Sequence, residues 1–337
     1  MTNIYSAWLP GNQAANISSA VPEFWNGQQL TWSVMARIDG QTYSLFGVPR
    51  PGDGVNTGEL VSAAYTATRT TFVVDAGKVS FALDFLSPIS PHDLVRQTLP
   101  FSYLTVSASS KDGSAPNVQI YSDMDNSWIG QFGYDVALHW KWSVSNGNNQ
   151  IFTFVPDDVA QYSEKGDMSL WGTAAYCTRT VSSTLTATLG YTNDVRASFV
   201  ADGALGDDWE FNPGSVFAYS HDLGALNDTT NVTFVIGHIR EPAFNYLGNE
   251  RSDYYRSTCS DIDCACVKMF EDFADADAEA GVFDTFVSGA ASSVASSKYS
   301  DILTLSARQA FGSLELTIPS DSLDTSDVLA FVKEISR

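Results

Sequence analysis

Two short stretches of the chain combine side chains that can bind or act on a small molecule. Asp123 and Trp128 follow an alternating apolar segment, and Trp171 stands directly before Gly172. Side chains at the exit of a strand can project beyond the sheet, so a carboxylate near an indole at such a place is a candidate ligand contact. The more common role of these residues is structural, because aspartates stabilise turns and tryptophans fill cores.

A third candidate is the pair Arg308 and Gln309, which lies in a segment with helical spacing. A guanidinium can hold a carboxylate through two parallel hydrogen bonds, and this is the chemistry that recognition of an amino acid requires. The commoner alternative is an ion pair between Arg308 and an acidic residue across a domain junction.

The sequence contains none of the local catalytic signatures that carry hydrolytic chemistry. It has no Ser-x-x-Lys pair, no Gly-x-Ser-x-Gly turn, no His-Glu-x-x-His segment and no phosphate-binding loop. The histidines are dispersed over predicted strands and loops, and each is interpreted as a structural or surface residue: His92, His139, His221 and His238. We therefore identify candidate binding residues but no catalytic residue, and expect no metal and no cofactor.

Four cysteines permit two disulfides in an oxidising compartment. Cys259, Cys264 and Cys266 fall within eight residues, whereas Cys177 stands alone. Cys264 and Cys266 are too close in sequence to pair easily, so we expect Cys259 to bond to one of them and Cys177 to reach the other. The alternatives are free buried thiols or a zinc site, and no histidine lies near enough in sequence to support zinc.

Composition excludes one large class of partner. Only 18 of 337 residues are Lys or Arg, and the formal net charge is −21. Binding the phosphate backbone of a nucleic acid requires clustered basic residues that this chain does not have. The 44% hydrophobic content predicts a globular protein with a real core.

The sequence predicts neither a membrane span nor a visible signal peptide. No run of 18 apolar residues occurs, and the first residues lack a basic segment followed by an apolar one. Three sequons, at Asn16, Asn227 and Asn231, would accept glycans if the chain entered a secretory pathway.

Apolar residues recur with a period of two from about residue 30 to residue 236. Phe81 and Leu83 alternate with small or polar residues, and Trp140 and Phe234 lie in similar runs. Turn residues separate these runs, as in 111–113 and 145–149. This pattern predicts a large antiparallel β-sandwich in which these four side chains face the interior.

Beyond residue 240 the period changes to three or four. We predict one helix from about Asp261 to Gly281, with Asp261 or Asp263 as the cap at its start. A second is predicted over the apolar positions of 283–294, and a third around 299–311. A polar connector at 319–326 then leads to an apolar run at 328–332 that has almost no sequence left to pack against, so the chain is expected to be cut short.

Four ordered segments carry a resemblance to a known family. They are 8–11 (Trp-Leu-Pro-Gly), 24–28 (Phe-Trp-Asn-Gly-Gln), 87–97 (Ser-Pro-Ile-Ser-Pro-His-Asp-Leu-Val-Arg-Gln) and 299–318. Together they resemble the fungal glutaminase A family, and the resemblance extends over nearly the whole chain.

The resemblance implies a supersandwich-like β-domain at 1–240, a helical linker at 241–298 that closes it, and the start of an incomplete α/α central domain at 299–337. It also implies an exported protein of the cell exterior or cell wall that acts on L-glutamine and releases L-glutamate and ammonia. With its partner helical domain missing, the chain alone is expected to be inactive. The alternatives are a carbohydrate-active or carbohydrate-binding sandwich and a non-catalytic accessory domain.

Overall fold

The computed structural model describes residues 29–47, 54–129, 137–165, 168–180, 184–207 and 209–332. Within these ranges two large sheets pack face to face. The first contains, in spatial order, β14 (Thr184–Tyr191), β15 (Ser215–Ala225), β8 (Asn117–Met124), β1 (Trp32–Ile38), β2 (Gln41–Phe46) and β3 (Val55–Thr57). The second contains β4 (Glu59–Tyr65), β5 (Arg69–Ala76), β6 (Val79–Leu86), β7 (Phe101–Ser110), β16 (Thr230–Ile239), β13 (Thr173–Arg179), β10 (Asn149–Pro156) and β9 (Leu138–Ser145). Neighbouring strands are antiparallel, except that β2 and β3 run parallel.

Two smaller sheets flank the sandwich. One is formed by β11 (Glu164–Lys165) and β12 (Met168–Ser169). The other contains β17 (Phe244–Tyr246), β18 (Asn249–Asp253), β19 (Leu314–Pro319) and β20 (Leu329–Val332) in that order.

The predicted interior positions are confirmed, with one partial exception. Phe81, Leu83 and Phe234 are fully buried between the two large sheets, while Trp140 is half-buried at the margin of the same cluster. Each fully buried side chain of this kind contributes about 1.5–3 kcal/mol by leaving water. The alternation along β6 is strict, with every second side chain inside, and this explains why the sequence predicted the sandwich well.

Helices cover the outer faces of both sheets. α2 (Thr192–Asp202) packs on the six-stranded sheet, and α3 (Ile262–Val294) packs on the eight-stranded sheet. The short α1 (Leu94–Thr98) lies beside α3, and α4 (Ser297–Gly312) returns along α3 as a helical hairpin. No helix within the described ranges is long and apolar enough to cross a membrane.

Acidic side chains of α3 fasten it to the sheet and to α1. Arg96 in α1 donates from Nε to Asp272 at 2.6 Å and also contacts Glu279. Arg69 at the start of β5 pairs with Asp277 at 2.7 Å. Part of the acidic excess of the sequence is thus used to position α3.

The helix boundaries differ from the sequence prediction at Gly281. Asp261 caps α3 as expected, since its side chain accepts from the amide of Cys264, but the helix continues through Gly281 to Val294. The two predicted helices are therefore one. A glycine inside a helix costs only about 1 kcal/mol, and the buried stripe that includes Ala276 and Ala280 outweighs it.

The segment after α4 is also different from the helical module that was expected. Residues 314–319 form β19, and the apolar run near the end forms β20, in which Phe331 stacks on Phe244 at 4.3 Å. Hence the run has a packing partner within the chain. The strand was hidden because its inward residues include Glu315, which is 3% exposed and bonds to Arg240 at 2.6 Å.

Candidate functional site

A cavity of about 500 Å³ opens where the eight-stranded sheet meets the start of α3. We call it the α3 cavity. Its charged lining residues are Lys141, Glu241, Arg256, Asp261 and Asp263, and its aromatic lining residues are Trp171 and Tyr255. The volume falls in the usual range for small-molecule sites.

The charges around the α3 cavity are arranged in opposite pairs. Arg256 Nε lies 3.2 Å from Glu241 Oε2, and Lys141 Nζ lies 2.9 Å from Asp263 Oδ2. The cap hydrogen bond from the amide of Cys264 lowers the pKa of Asp261, so this carboxylate is charged at neutral pH. A cavity lined by both signs is suited to a zwitterion, whose carboxylate can meet a cation and whose ammonium can meet a carboxylate.

Trp171 is the predicted binding candidate that the structure places at the α3 cavity. Its indole N–H donates to the carbonyl of Pro242 at 3.4 Å, and the guanidinium of Arg240 lies 5.4 Å from its ring centre. Gly172 beside it has a φ of 124°, and a Cβ there would come within 2.4 Å of His238. The ring is therefore a fixed wall of the cavity and is only 8% exposed.

A second, smaller cavity brings together Trp128 and Arg308. Its volume is about 60 Å³, which is room for a few waters and far less than the roughly 300 Å³ at which small-molecule sites begin. Arg308 donates from Nε to the carbonyl of Thr66 at 2.6 Å and from Nη2 to the hydroxyl of Thr70 at 2.9 Å. Through these carbonyl and hydroxyl contacts Arg308 joins α4 to the turn between β4 and β5. Gln309 is exposed to solvent.

Asp123 lies in neither cavity. It is fully buried beneath α2, where Arg196 grips it with two hydrogen bonds of 2.7 and 3.0 Å and the hydroxyl of Tyr121 donates to it at 2.5 Å. Burial raises the pKa of Tyr121 well above its ordinary value, so this hydroxyl stays protonated and remains a donor. The arrangement satisfies Asp123 internally and ties α2 to the six-stranded sheet.

The sequence analysis did not single out Glu241, Tyr255 or Arg256. They lie in the irregular stretch where the apolar period changes from two to three or four, and that change was the only signal. Among the residues that line the α3 cavity there is neither a histidine nor a cysteine. The site as described can recognise a polar ligand, and its lining offers carboxylates and hydroxyls rather than a histidine base or a cysteine nucleophile.

The predicted modification sites are distributed as follows. Asn227 and Asn231 are exposed near the turn between β15 and β16, and Asn16 lies outside the described residues. The four cysteine thiols are unbonded; Cys177, Cys259 and Cys266 are buried and Cys264 is half-buried.

Comparison with known proteins identifies matches over most of the chain. A family model described as a domain of unknown function (DUF5127) matches residues 68–290, and the model of the glutaminase A six helical-hairpin domain matches residues 296–337. Glutaminase A of Aspergillus oryzae is 30% identical over 98% of this chain and 48% of its own length. A protein of Arthroderma benhamiae named probable glutaminase is 28% identical over 98% of this chain and 41% of its own length. The chain therefore spans about half the length of these relatives.

Proposed function

Since this chain belongs to the DUF5127 family and is homologous to glutaminase A over nearly all of its length, we propose that it is the N-terminal portion of an exported glutaminase. The reaction proposed for the whole protein is hydrolysis of L-glutamine to L-glutamate and ammonia. The observation that carries the proposal is the 30% identity to a protein named glutaminase A over 98% of the chain.

The exposed surface of the α3–α4 hairpin supports the proposal that a helical domain packs against it. Val282, Phe286 and Val294 on α3 and Ile302 on α4 are between 58% and 76% exposed. Apolar side chains grouped on one helical hairpin favour packing by further helices. The glutaminase A six helical-hairpin model begins at residue 296, and we propose that its other hairpins cover these side chains.

We propose that the β-domain binds the substrate and that the helical domain supplies the remaining catalytic groups. Hydrolysis of an amide requires a nucleophile or an activated water, donors for the oxyanion and an acid for the departing ammonia. The α3 cavity offers Arg256 for the carboxylate of glutamine and Glu241 for its ammonium. We therefore expect no useful turnover from residues 1–337 alone.

The test compares ammonia release from L-glutamine by this chain with release by a form joined to a complete helical-hairpin domain. The expected result is activity only in the longer form. In that form Glu241→Gln is expected to raise KM more than it lowers kcat, while Lys78→Ala, at an exposed ion pair far along the sequence, changes neither. Substantial turnover by the short chain contradicts the proposal that catalysis requires the helical domain. An inactive longer form contradicts the glutaminase proposal.

Export is proposed from the resemblance to the glutaminase A family and is compatible with the exposure of Asn227 and Asn231. Production in a fungal secretory host is expected to give a protein that shifts in mass on glycosidase treatment. Asn227→Gln and Asn231→Gln should each remove one glycan's share of that shift. Retention inside the cell with no glycan contradicts an extracellular or cell-wall location.

A carbohydrate-binding sandwich is the second candidate, and one observation favours it. Trp142 on the edge strand β9 is 39% exposed, and its ring centre lies 5.1 Å from that of Trp209. Exposed aromatic rings commonly line sites for small polar ligands. Calorimetry with soluble glycans decides: binding that Trp142→Ala abolishes, without ammonia release from the longer form, favours this function over the first.

A further inference from the structure

Two pairs of thiols meet at the start of α3. Cys177 in β13 and Cys266 in α3 are both fully buried in the cluster between α3 and the eight-stranded sheet, and Cys266 is near enough to help raise the pKa of the Cys177 thiol. Cys259 precedes the helix and is 1% exposed, and Cys264 in the first helical turn packs against the same cluster and helps raise the pKa of the Cys259 thiol.

Helix geometry explains why each thiol of α3 has a different partner. Residues two apart on a helix do not face each other, so Cys264 and Cys266 point to different sides. Cys266 lies in the cluster packed on the eight-stranded sheet, where it meets Cys177, and Cys264 packs at the margin of that cluster near Cys259. The cap formed by Asp261 fixes where the helix starts, and this determines the directions in which Cys264 and Cys266 point.

We propose that the chain forms two disulfides, Cys259–Cys264 and Cys177–Cys266, when it folds under oxidising conditions. The pairing follows from the contacts of the four thiols. The proposed export determines only where the oxidation takes place, namely in a secretory compartment.

The two bonds form at different stages. Cys264 is half-buried, so its thiolate can attack a sulfur of a small disulfide such as glutathione disulfide, forming a mixed disulfide and releasing one glutathione thiolate. Burial raises the pKa of Cys259 to about 12, but this thiol needs no access to solvent, because its target is the mixed disulfide on the neighbouring Cys264; its thiolate fraction displaces the second glutathione. The two thiol protons pass to solvent, and the two electrons from the cysteines reduce glutathione disulfide to two thiols.

Cys177 and Cys266 react by the same exchange, but only while α3 is not yet packed on the sheet. Burial, followed by the nearness of Cys266, raises the pKa of Cys177 well above its ordinary value. A buried thiol that resists deprotonation reacts slowly, because the thiolate is the nucleophile. We therefore expect this bond to form during folding and to be inert afterwards.

The bonds would fix α3 at both the sheet and its own start. Cys177–Cys266 joins residues 89 positions apart in sequence, and closing a loop of that length restricts the unfolded chain strongly. Cys259–Cys264 encloses Asp261 and Asp263, two lining residues of the α3 cavity. Reduction is thus expected to lower the melting temperature and to loosen one wall of the cavity.

The experiment refolds reduced protein in a glutathione redox buffer, quenches exchange with acid, and then unfolds the protein in guanidinium chloride so that iodoacetamide can alkylate every remaining thiol, including buried ones. Mass spectrometry locates the alkyl groups. Trypsin releases Cys259, Cys264 and Cys266 in one peptide, residues 257–268, and Cys177 in another. The wild type should carry no alkyl group before reduction and four after it.

Single variants distinguish the two possible pairings. In Cys264→Ser the one free thiol should be Cys259, in peptide 257–268, whereas the opposite pairing leaves Cys177 free. In Cys266→Ser the expectation is reversed, and Cys177 should be the alkylated residue. Cys264 is only half-buried, so Cys264→Ser should leave the core intact. If Cys266→Ser does not fold, Cys264→Ser alone still decides the pairing.

Two results would overturn the inference. One is four alkylated cysteines in the oxidised, refolded wild type, and the other is a free Cys177 in Cys264→Ser. A third measurement adds the order of formation. Folded, reduced protein exposed to glutathione disulfide should lose two thiols and keep Cys177 and Cys266. None of these measurements uses glutamine or secretion, so their failure is separate from failure of the proposed function.

Discussion

His221 of β15 and Thr178 of β13 meet across the two large sheets, with 2.9 Å between Nε2 and Oγ1. The hydroxyl of Thr178 donates to the carbonyl of Thr233 at 3.0 Å, so it accepts from Nε2–H of His221. This arrangement places a proton on Nε2, and burial opposes a second proton on Nδ1. Burial lowers its pKa from 6.5 to about 3, because no neighbouring charge compensates the protonated form in the core.

This contact predicts a loss of stability in mild acid. The folded pKa lies below the unfolded one, so the stabilisation is complete above pH 6.5 and declines as the pH falls toward 3, where the unfolded chain binds a proton and the folded chain does not. Between pH 7.5 and pH 4.5 the free energy of unfolding should fall by about 2–3 kcal/mol from this group. Urea unfolding at the two pH values measures it.

The control for that measurement is His221→Gln, which keeps a donor but does not titrate. Its stability should change less between the two pH values, because only the carboxylates common to both proteins still respond. An equal loss in wild type and variant would show that His221 does not stay neutral in the folded protein.

A second prediction concerns the buried pair of Asp123 and Arg196. Arg196→Met leaves a fully buried carboxylate without its cation, which should cost about 3–5 kcal/mol in the free energy of unfolding. Adding Asp123→Asn should recover part of that loss. Lys78→Met is the matched control, since the Lys78–Asp39 pair is exposed and its removal should cost under about 1 kcal/mol. Equal losses in Arg196→Met and the control would contradict the role of Arg196.

The contrast between Phe81 and Asp123 shows what the sequence can predict. Phe81 belongs to a strand whose apolar residues alternate strictly, so its strand, its face and its burial follow from the pattern. Asp123 and Glu315 also point inward, but each does so because one distant arginine neutralises it. A pattern of polarity assigns such residues to the surface, and only the folded chain shows their partners. The α3 cavity was missed for the same reason, because its residues come from strands, loops and a helix start that are far apart in sequence.

A third prediction tests whether Arg308 contacts the substrate or stabilises the fold. Its donors reach the oxygens of Thr66 and Thr70, which a lysine ammonium cannot bridge in the same way. Arg308→Lys should lower the free energy of unfolding by about 1–3 kcal/mol. In the longer form that is proposed to hydrolyse glutamine, it should leave KM unchanged. A raised KM with unchanged stability would make Arg308 a substrate contact after all.

The last prediction concerns β20, the edge strand of the four-stranded sheet. Among the described strands it pairs with β19 alone, Val332 is 68% exposed, and Phe331 stacks on Phe244. Edge strands with few buried contacts open locally, so amides of 329–332 should exchange with solvent well before those of β6. Phe81→Ala separates local from global opening: it should destabilise the sandwich by about 3–5 kcal/mol and accelerate exchange in β6, while leaving exchange in β20 unchanged. If β20 is as protected as β6 and responds equally to Phe81→Ala, the small sheet unfolds only together with the sandwich, and α4 and the sheet form one cooperative unit with it.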